Sequence, residues 1–203
     1  MLQMKLILGS KSKGRQGVLS DMGLEFEVMH PDLDEKEIRF DDPCTLTLAL
    51  AHAKADALLP RILEPALLLT FDQVVHCNNV ILEKPENAEQ ARTFLRGYAQ
   101  YPAKTVTAVV AVNTVTKERL NGVDLATVWF RIIPDHVIAD IVDSGEPFSQ
   151  AGGFSVRNPQ LQSYINRIEG EIESVIGLPR QLTESLIARL LSYKDLRKTW
   201  YKK

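Results

Sequence analysis

A short apolar run at the start of the chain, Met4-Lys5-Leu6-Ile7-Leu8, passes straight into Gly9-Ser10-Lys11-Ser12-Lys13-Gly14-Arg15 and then into an apolar-periodic segment that ends near Met22. That order reads as strand, polar loop and helix. Gly23 stands where a helix C-cap belongs, and Glu25-Phe26-Glu27-Val28-Met29 then alternates polar and apolar as a half-buried strand does. A β-α-β crossover is therefore the opening unit, so the two strands are expected to be parallel partners and the chain α/β.

The rest of the chain continues in kind. Asp42-Pro43 reads as an N-cap with proline at the first helical position, opening a helix to about Leu59. Its apolar stripe is Leu46, Leu50, Ala53 and Ala57, with Lys54 on the flank. Ala66 to Thr70 is a continuous apolar strand that finishes at Phe71-Asp72-Gln73. Val74-Val75 and Val80-Ile81-Leu82 flank Asn78-Asn79 as a hairpin, and Asn87 with Gln90 forms a capping box for a helix to about Gly97. Lys104 to Asn113 and Leu125 to Ile133 are strands, expected to be antiparallel. Pro134 to Ser144 is a helix with Ile138, Ile141 and Val142 inward, Gly145 to Pro159 is irregular, and helical pieces follow. The last long helix starts near Pro179 and carries Leu182, Leu186, Ile187, Leu190 and Leu191 on one face. The lysine-rich end after Tyr193 reads as a solvated terminus. With no repeat and no low-complexity linker, residues 1–203 are expected to form a single domain.

Charge and cysteine usage narrow the function classes. Lys and Arg number 24 against 26 Asp and Glu, so the chain lacks the basic excess on which electrostatic nucleic-acid binding depends. Its two cysteines, Cys44 and Cys77, have no partner at disulfide-framework or zinc spacing. The opening apolar run is too short for a signal peptide, and no apolar stretch of about 18 residues follows. A cytoplasmic protein without a membrane partner is expected.

Gly9 and Gly14 have the spacing of a phosphate-binding P-loop between strand and helix, but Arg15-Gln16 stands where that motif needs Lys-Ser/Thr. Ser10, Lys11, Ser12, Lys13 and Arg15 nonetheless surround a helix N-terminus, whose unpaired N–H groups and dipole favour an anion. Asp72 sits at the end of an apolar strand, where open α/β sheets place ligands, though an acid there also serves turns and caps. Asp34-Glu35 adds a carboxylate pair and Lys84-Pro85 a cation after the hairpin. His30, His52, His76 and His136 show neither metalloprotease spacing nor a serine elbow.

The opening run, Gly23-Leu24-Glu25-Phe26-Glu27-Val28 and Asp34-Glu35 together resemble the N-terminal signature of the Maf-like family of nucleoside triphosphate pyrophosphatases. The likeness continues in order through Ala51-His52-Ala53-Lys54-Ala55, Asp72 with Val74-Val75, Ile81-Leu82-Glu83-Lys84-Pro85, Ser144-Gly145-Glu146-Pro147, Ala151-Gly152-Gly153 and Val175-Ile176-Gly177-Leu178-Pro179. The wording of Asp34-Glu35-Lys36-Glu37-Ile38-Arg39 is most similar to the eukaryotic, plant-like branch.

The resemblance implies an elongated mixed-sheet α/β fold of the Maf and inosine-triphosphatase type, with a cleft between two lobes and often a homodimer. It implies that Ser10, Ser12, Arg15, Lys54 and Lys84 hold a triphosphate, that Glu35 and Asp72 bind Mg²⁺, Mn²⁺ or Co²⁺, and that Asp72 takes the proton of a water attacking the α-phosphorus. Departures fall at Gly14, where the family commonly has a side chain, at Gln73, which resembles the branch acting on methylated guanosine triphosphate, and at Arg157, where many members carry glutamine. These three are the expected specificity positions. A catalytically weak or inactive nucleotide-binding regulatory protein on the same fold is the alternative.

Overall fold

Leu6, Ile7 and Leu8 are withdrawn from solvent, and their burial makes the opening run strand β1, Lys5–Gly9. The computed structural model describes residues 4–191. Ser12 caps helix α1, Lys13–Asp21, its Oγ accepting from the Arg15 backbone N–H at 3.3 Å. Gly23, at φ 74°, turns the chain into a strand β2 of only Glu27–Val28. β1 and β2 are parallel, with Ile7 opposite Glu27 and Leu8 opposite Val28, as the crossover reading requires.

Asp42 caps α2, Pro43–Leu58, by accepting from the Thr45 N–H at 2.7 Å. Then come β3 (Ala66–Cys77), β4 (Val80–Leu82), α3 (Ala88–Gly97), β5 (Ala103–Asn113), β6 (Arg119–Phe130), α4 (Asp135–Asp143), α5 (Pro159–Gln162), β7 (Ile165–Glu169), α6 (Ile172–Ile176) and α7 (Arg180–Leu190). Among the described residues the strands form one mixed sheet of seven in the order β2-β1-β3-β5-β6-β7, with β4 on β3. β1 and β3 are parallel, β3 and β4 antiparallel, and β6 and β7 antiparallel. The turn between β5 and β6 is too short for a parallel crossover, so that pair is antiparallel as expected. Among the described residues no helix is long and apolar enough to cross a membrane.

Several expectations need correction, among them the α2 stripe, where Ala51, Ala55 and Leu58 are buried with Leu46 and Leu50 while Ala53 and Ala57 are half-buried, and the strand expected from Leu125, which starts at Arg119 and ends at Phe130. β3 does not finish at Phe71-Asp72-Gln73 but runs on to Cys77, because Val75, His76 and Cys77 find a new partner in β4 where β1 has stopped. The helical pieces expected after Pro159 include a strand, β7, whose pairing with Thr127–Phe130 overrides its weak local pattern. In α7 it is Thr183 that is buried, its hydroxyl donating to the Pro179 carbonyl at 2.6 Å, while Leu182 is half-buried. The lysine-rich end after Tyr193 lies outside the described residues.

The chain divides into two compact units. The first comprises the described residues up to Asp72, Thr107–Asp124 and those from Gly177 onward. In its core Ile7, Leu68, Ala108, Val110 and Val112 pack with Ala51, Ala55 and Leu58 of α2. The small side chains at 51 and 55 bring that helix close to the strands. The second unit comprises Gln73–Val106 and Leu125–Ile176. Its core contains Tyr98, stacked on Phe130 with ring centroids 5.5 Å apart and edge-on to Phe154 at 5.3 Å. The Tyr98 hydroxyl donates to the Gly152 carbonyl at 2.6 Å.

Gly152 has φ 67°, and a Cβ there would stand 2.5 Å from the Tyr98 hydroxyl and 2.6 Å from Val75 Cγ2. Gly145, at φ 78°, has open space around the same position. Gly145→Ala should therefore cost about 1–2 kcal/mol for its backbone alone. Gly152→Ala should cost about 1–3 kcal/mol more, from overpacking, in urea denaturation.

Candidate active site

The polar loop after β1 is ordered by its own serines. Ser10 Oγ accepts from the Ser12 backbone N–H and from Arg15 Nη1, both at 3.2 Å. With both lone pairs engaged, the Ser10 hydroxyl proton is left to donate to a further acceptor. Arg15 comes from the first turn of α1 and is anchored across the chain, Nε donating to the Gly177 carbonyl at 2.8 Å. Its guanidinium also lies over the Phe71 ring, 5.6 Å from the centroid. Burial lowers the Arg15 pKa, with Asp72 and Glu35 opposing that effect.

α2 and β3 supply the centre of the site. Lys54 and Asp72 are only 7% and 6% exposed, and Lys54 Nζ donates to Asp72 Oδ1 at 2.6 Å. The same ammonium meets Glu35 Oε2 at 3.1 Å. Glu35 reaches it from a short 3₁₀ turn, Glu35–Glu37, capped by Asp34, whose carboxylate accepts from the Lys36 N–H at 3.0 Å. Asp34 is thus a cap and Glu35 the residue that faces the site. Lys54, placed at the flank of the α2 stripe by its spacing, is in fact among the buried residues of that helix.

Asp72 lies two residues beyond Thr70, the last β3 residue paired with β1. It is inside a strand rather than at its end, yet it stands past the carboxyl end of its parallel neighbour. The ligand position expected of an open α/β sheet is therefore kept although the strand continues. Burial raises the Asp72 pKa above the ordinary 3.8, Lys54 and Arg15 pull it back, and Glu35 adds to the rise.

The first unit thus brings Ser10, Ser12, Arg15, Glu35, Lys54 and Asp72 together, and Gly14 lies beside them in the first turn of α1. Lys84, Gln73 and Arg157 belong to the second unit. Lys84 is exposed just after β4, and Arg157 is exposed with its backbone N–H on Ser155 Oγ at 3.2 Å. Gln73 Nε2 donates to the Ser174 carbonyl at 2.8 Å, which ties β3 to α6. The sequence marks no part for two further residues, Gly177, named only within a family block, and Thr70, whose hydroxyl bonds α2. The first is 162 residues from the arginine it anchors, and the second is a threonine in an apolar run, which reads simply as a strand former.

Two carboxylates sharing one cation suit a divalent ion of the magnesium type, which commonly takes one or two protein carboxylates and completes its shell with water and substrate phosphate. Among the described residues no group of three or more His, Cys, Asp and Glu is arranged to hold a metal by protein ligands alone.

Residues 5–190 match a family model described as Maf-like protein. A 7-methyl-GTP pyrophosphatase of Dictyostelium discoideum is 43% identical, covering 94% of this chain and 99% of that protein. A dTTP/UTP pyrophosphatase of Vibrio vulnificus (strain YJ016) is 30% identical over 90% of this chain and 97% of its own length. Another, from Carboxydothermus hydrogenoformans, is 31% identical over 98% and 100%.

A raised Asp72 pKa has a definite sign in solution. The folded state holds that proton more tightly than the unfolded chain, so the group's contribution to stability is fully present below the unfolded pKa and is lost as pH rises through the folded one. Carboxyl-carbon NMR of the nucleotide-free protein should show Asp72 titrating above 3.8. In Lys54→Met, with the attracting ammonium gone, the midpoint should move higher still.

Proposed function

The chain belongs to the Maf-like protein family, and from that premise we propose that it hydrolyses a nucleoside triphosphate to the nucleoside monophosphate and pyrophosphate. The observation that carries this reading is the convergence of the Glu35 and Asp72 carboxylates on Lys54, beside a serine-lined helix N-terminus. Such a site offers cations and N–H groups to a polyphosphate and a buried carboxylate to a water.

In this reading the Ser10 hydroxyl, the first N–H groups of α1, Arg15 and Lys54 hold phosphate oxygens by charge-assisted hydrogen bonds. Asp72 accepts a proton from water as the water oxygen bonds to the α-phosphorus. The bond from the α-phosphorus to the bridging oxygen breaks, and pyrophosphate leaves with that oxygen. Glu35 and Asp72 are the residues that would hold a divalent ion, which supplies charge neutralisation for the triphosphate. Lys54 keeps the two carboxylates convergent before any substrate arrives. Lys84, Gly14, Gln73 and Arg157 retain the triphosphate-binding and specificity roles implied by the family resemblance. The cytoplasmic setting and the homodimer belong to the same proposal.

The higher identity to a 7-methyl-GTP pyrophosphatase than to the dTTP/UTP enzymes supports testing 7-methyl-GTP first and dTTP and UTP next. With Mg²⁺ or Mn²⁺ and a panel including these three, chromatography should show monophosphate and pyrophosphate in equal amounts. In H₂¹⁸O the label should enter the monophosphate. Release of orthophosphate alone, or tight binding without turnover, would overturn the proposal.

General-base assistance is worth roughly 10²- to 10⁴-fold. Asp72→Asn should therefore keep the wild-type circular dichroism spectrum while losing turnover by about that factor. Near-normal pyrophosphate release by this variant would remove Asp72 from the mechanism.

A further inference from the structure

Thr70 is fully buried, yet its hydroxyl donates to the carbonyl of Ala51 in α2 at 2.7 Å. A polar side chain at that depth needs a partner, but the one it has chosen is specific. Ala51 precedes Lys54 by one helical turn, and Thr70 precedes Asp72 by one strand repeat. Residues at those intervals share a helix face and a strand face respectively. The Thr70–Ala51 hydrogen bond and the Asp72–Lys54 ion pair are therefore successive rungs between the same two elements.

The other end of Thr70 is fixed too. Its register partner on β1 is Gly9, and a Cβ on Gly9 would lie 2.7 Å from Thr70 Cγ2 and 2.6 Å from Leu58 Cδ1. The missing side chain at position 9 makes room for the Thr70 methyl and for α2 together. The threonine is thus wedged with its methyl toward the strand that leads into Ser10 and its hydroxyl on the helix that carries Lys54. Valine would fill the wedge without the rung. Serine would keep the rung without filling the wedge.

We propose that Thr70 is a positioning residue for the reaction, its hydroxyl fixing the height of α2 along β3 so that the Lys54 ammonium meets Asp72 and the bound phosphate. The inference rests on the pyrophosphatase reading and deepens it. Misplacement of a reacting group by about 1 Å can cost on the order of 10²-fold.

The test measures kcat and KM per folded molecule for Thr70→Val and Thr70→Ser, each also made on Lys54→Met. Thr70→Val should lower kcat by about 10-fold or more, with a smaller change in KM, because the contact is perturbed in the transition state. Thr70→Ser should recover kcat to within about 2-fold although its melting temperature falls with the lost methyl. On Lys54→Met, Thr70→Val should have little further effect, since the group it positions is gone. A merely structural threonine would give the reverse, with stability changed and kcat per folded molecule unmoved. Wild-type kcat in Thr70→Val, a serine variant as slow as the valine one, or an undiminished penalty on Lys54→Met would each overturn the inference. If the wild type releases no pyrophosphate, the functional reading fails on its own account. The positioning of Lys54 is then judged by proton exchange of its ammonium, which should be faster in Thr70→Val and unchanged in Thr70→Ser, and equal rates in all three proteins would end the proposal.

Discussion

One buried ammonium between two carboxylates sets the terms for everything around it. Lys54 is reached by Asp72 at 2.6 Å and Glu35 at 3.1 Å, and the Arg15 guanidinium adds a second positive charge against those two negative ones. Formal charge in this group is balanced, so its Lys54–Asp72 centre can be buried without a polyanion bound, while the Glu35 side chain stays half exposed. The arrangement is a poor source of stability, because desolvating such ions costs about as much as their attraction returns. Its physical use is preorganisation. Lys54 and Asp72, already stripped of water and held in place, need little rearrangement when charge develops on a phosphate.

That balance depends on where the strands stop. β1 ends at Gly9, opposite Thr70, while β3 continues to Cys77. Beyond this register Asp72 has no β1 neighbour, and the loop that leaves β1 carries Ser10 and Ser12 to the start of α1. The family-independent rule that ligands gather at the carboxyl ends of parallel strands is met by one member of the pair only. A longer β1 would replace the serine-lined loop with ladder hydrogen bonds.

Much of this could be read in the sequence because local chemistry dictates it. Ser12, Asp42 and Asn87 cap their helices with the side-chain bonds that their positions promise. Asn78 and Asn79 take positive φ as a two-residue hairpin turn demands. What could not be read has a non-local cause. β7 exists because Thr127–Phe130 offers it an edge, and β3 runs past Asp72 because β4 folds back onto it. Within the site, Ser10, Ser12, Arg15, Glu35, Lys54 and Asp72 were found from residue type, order and family likeness. Gly177 escaped because it contributes only a backbone carbonyl, and any residue type supplies one of those.

Asp72 and Gln73 are neighbours in sequence that different elements hold. Successive strand residues project to opposite faces, so the two side chains serve different neighbours. Asp72 meets Lys54 of α2, whereas the Gln73 amide donates to Ser174 of α6. A substitution at 73 therefore alters a tether to α6 without moving the carboxylate at 72 to another face. Phosphate chemistry and the character of residue 73 are separable by geometry.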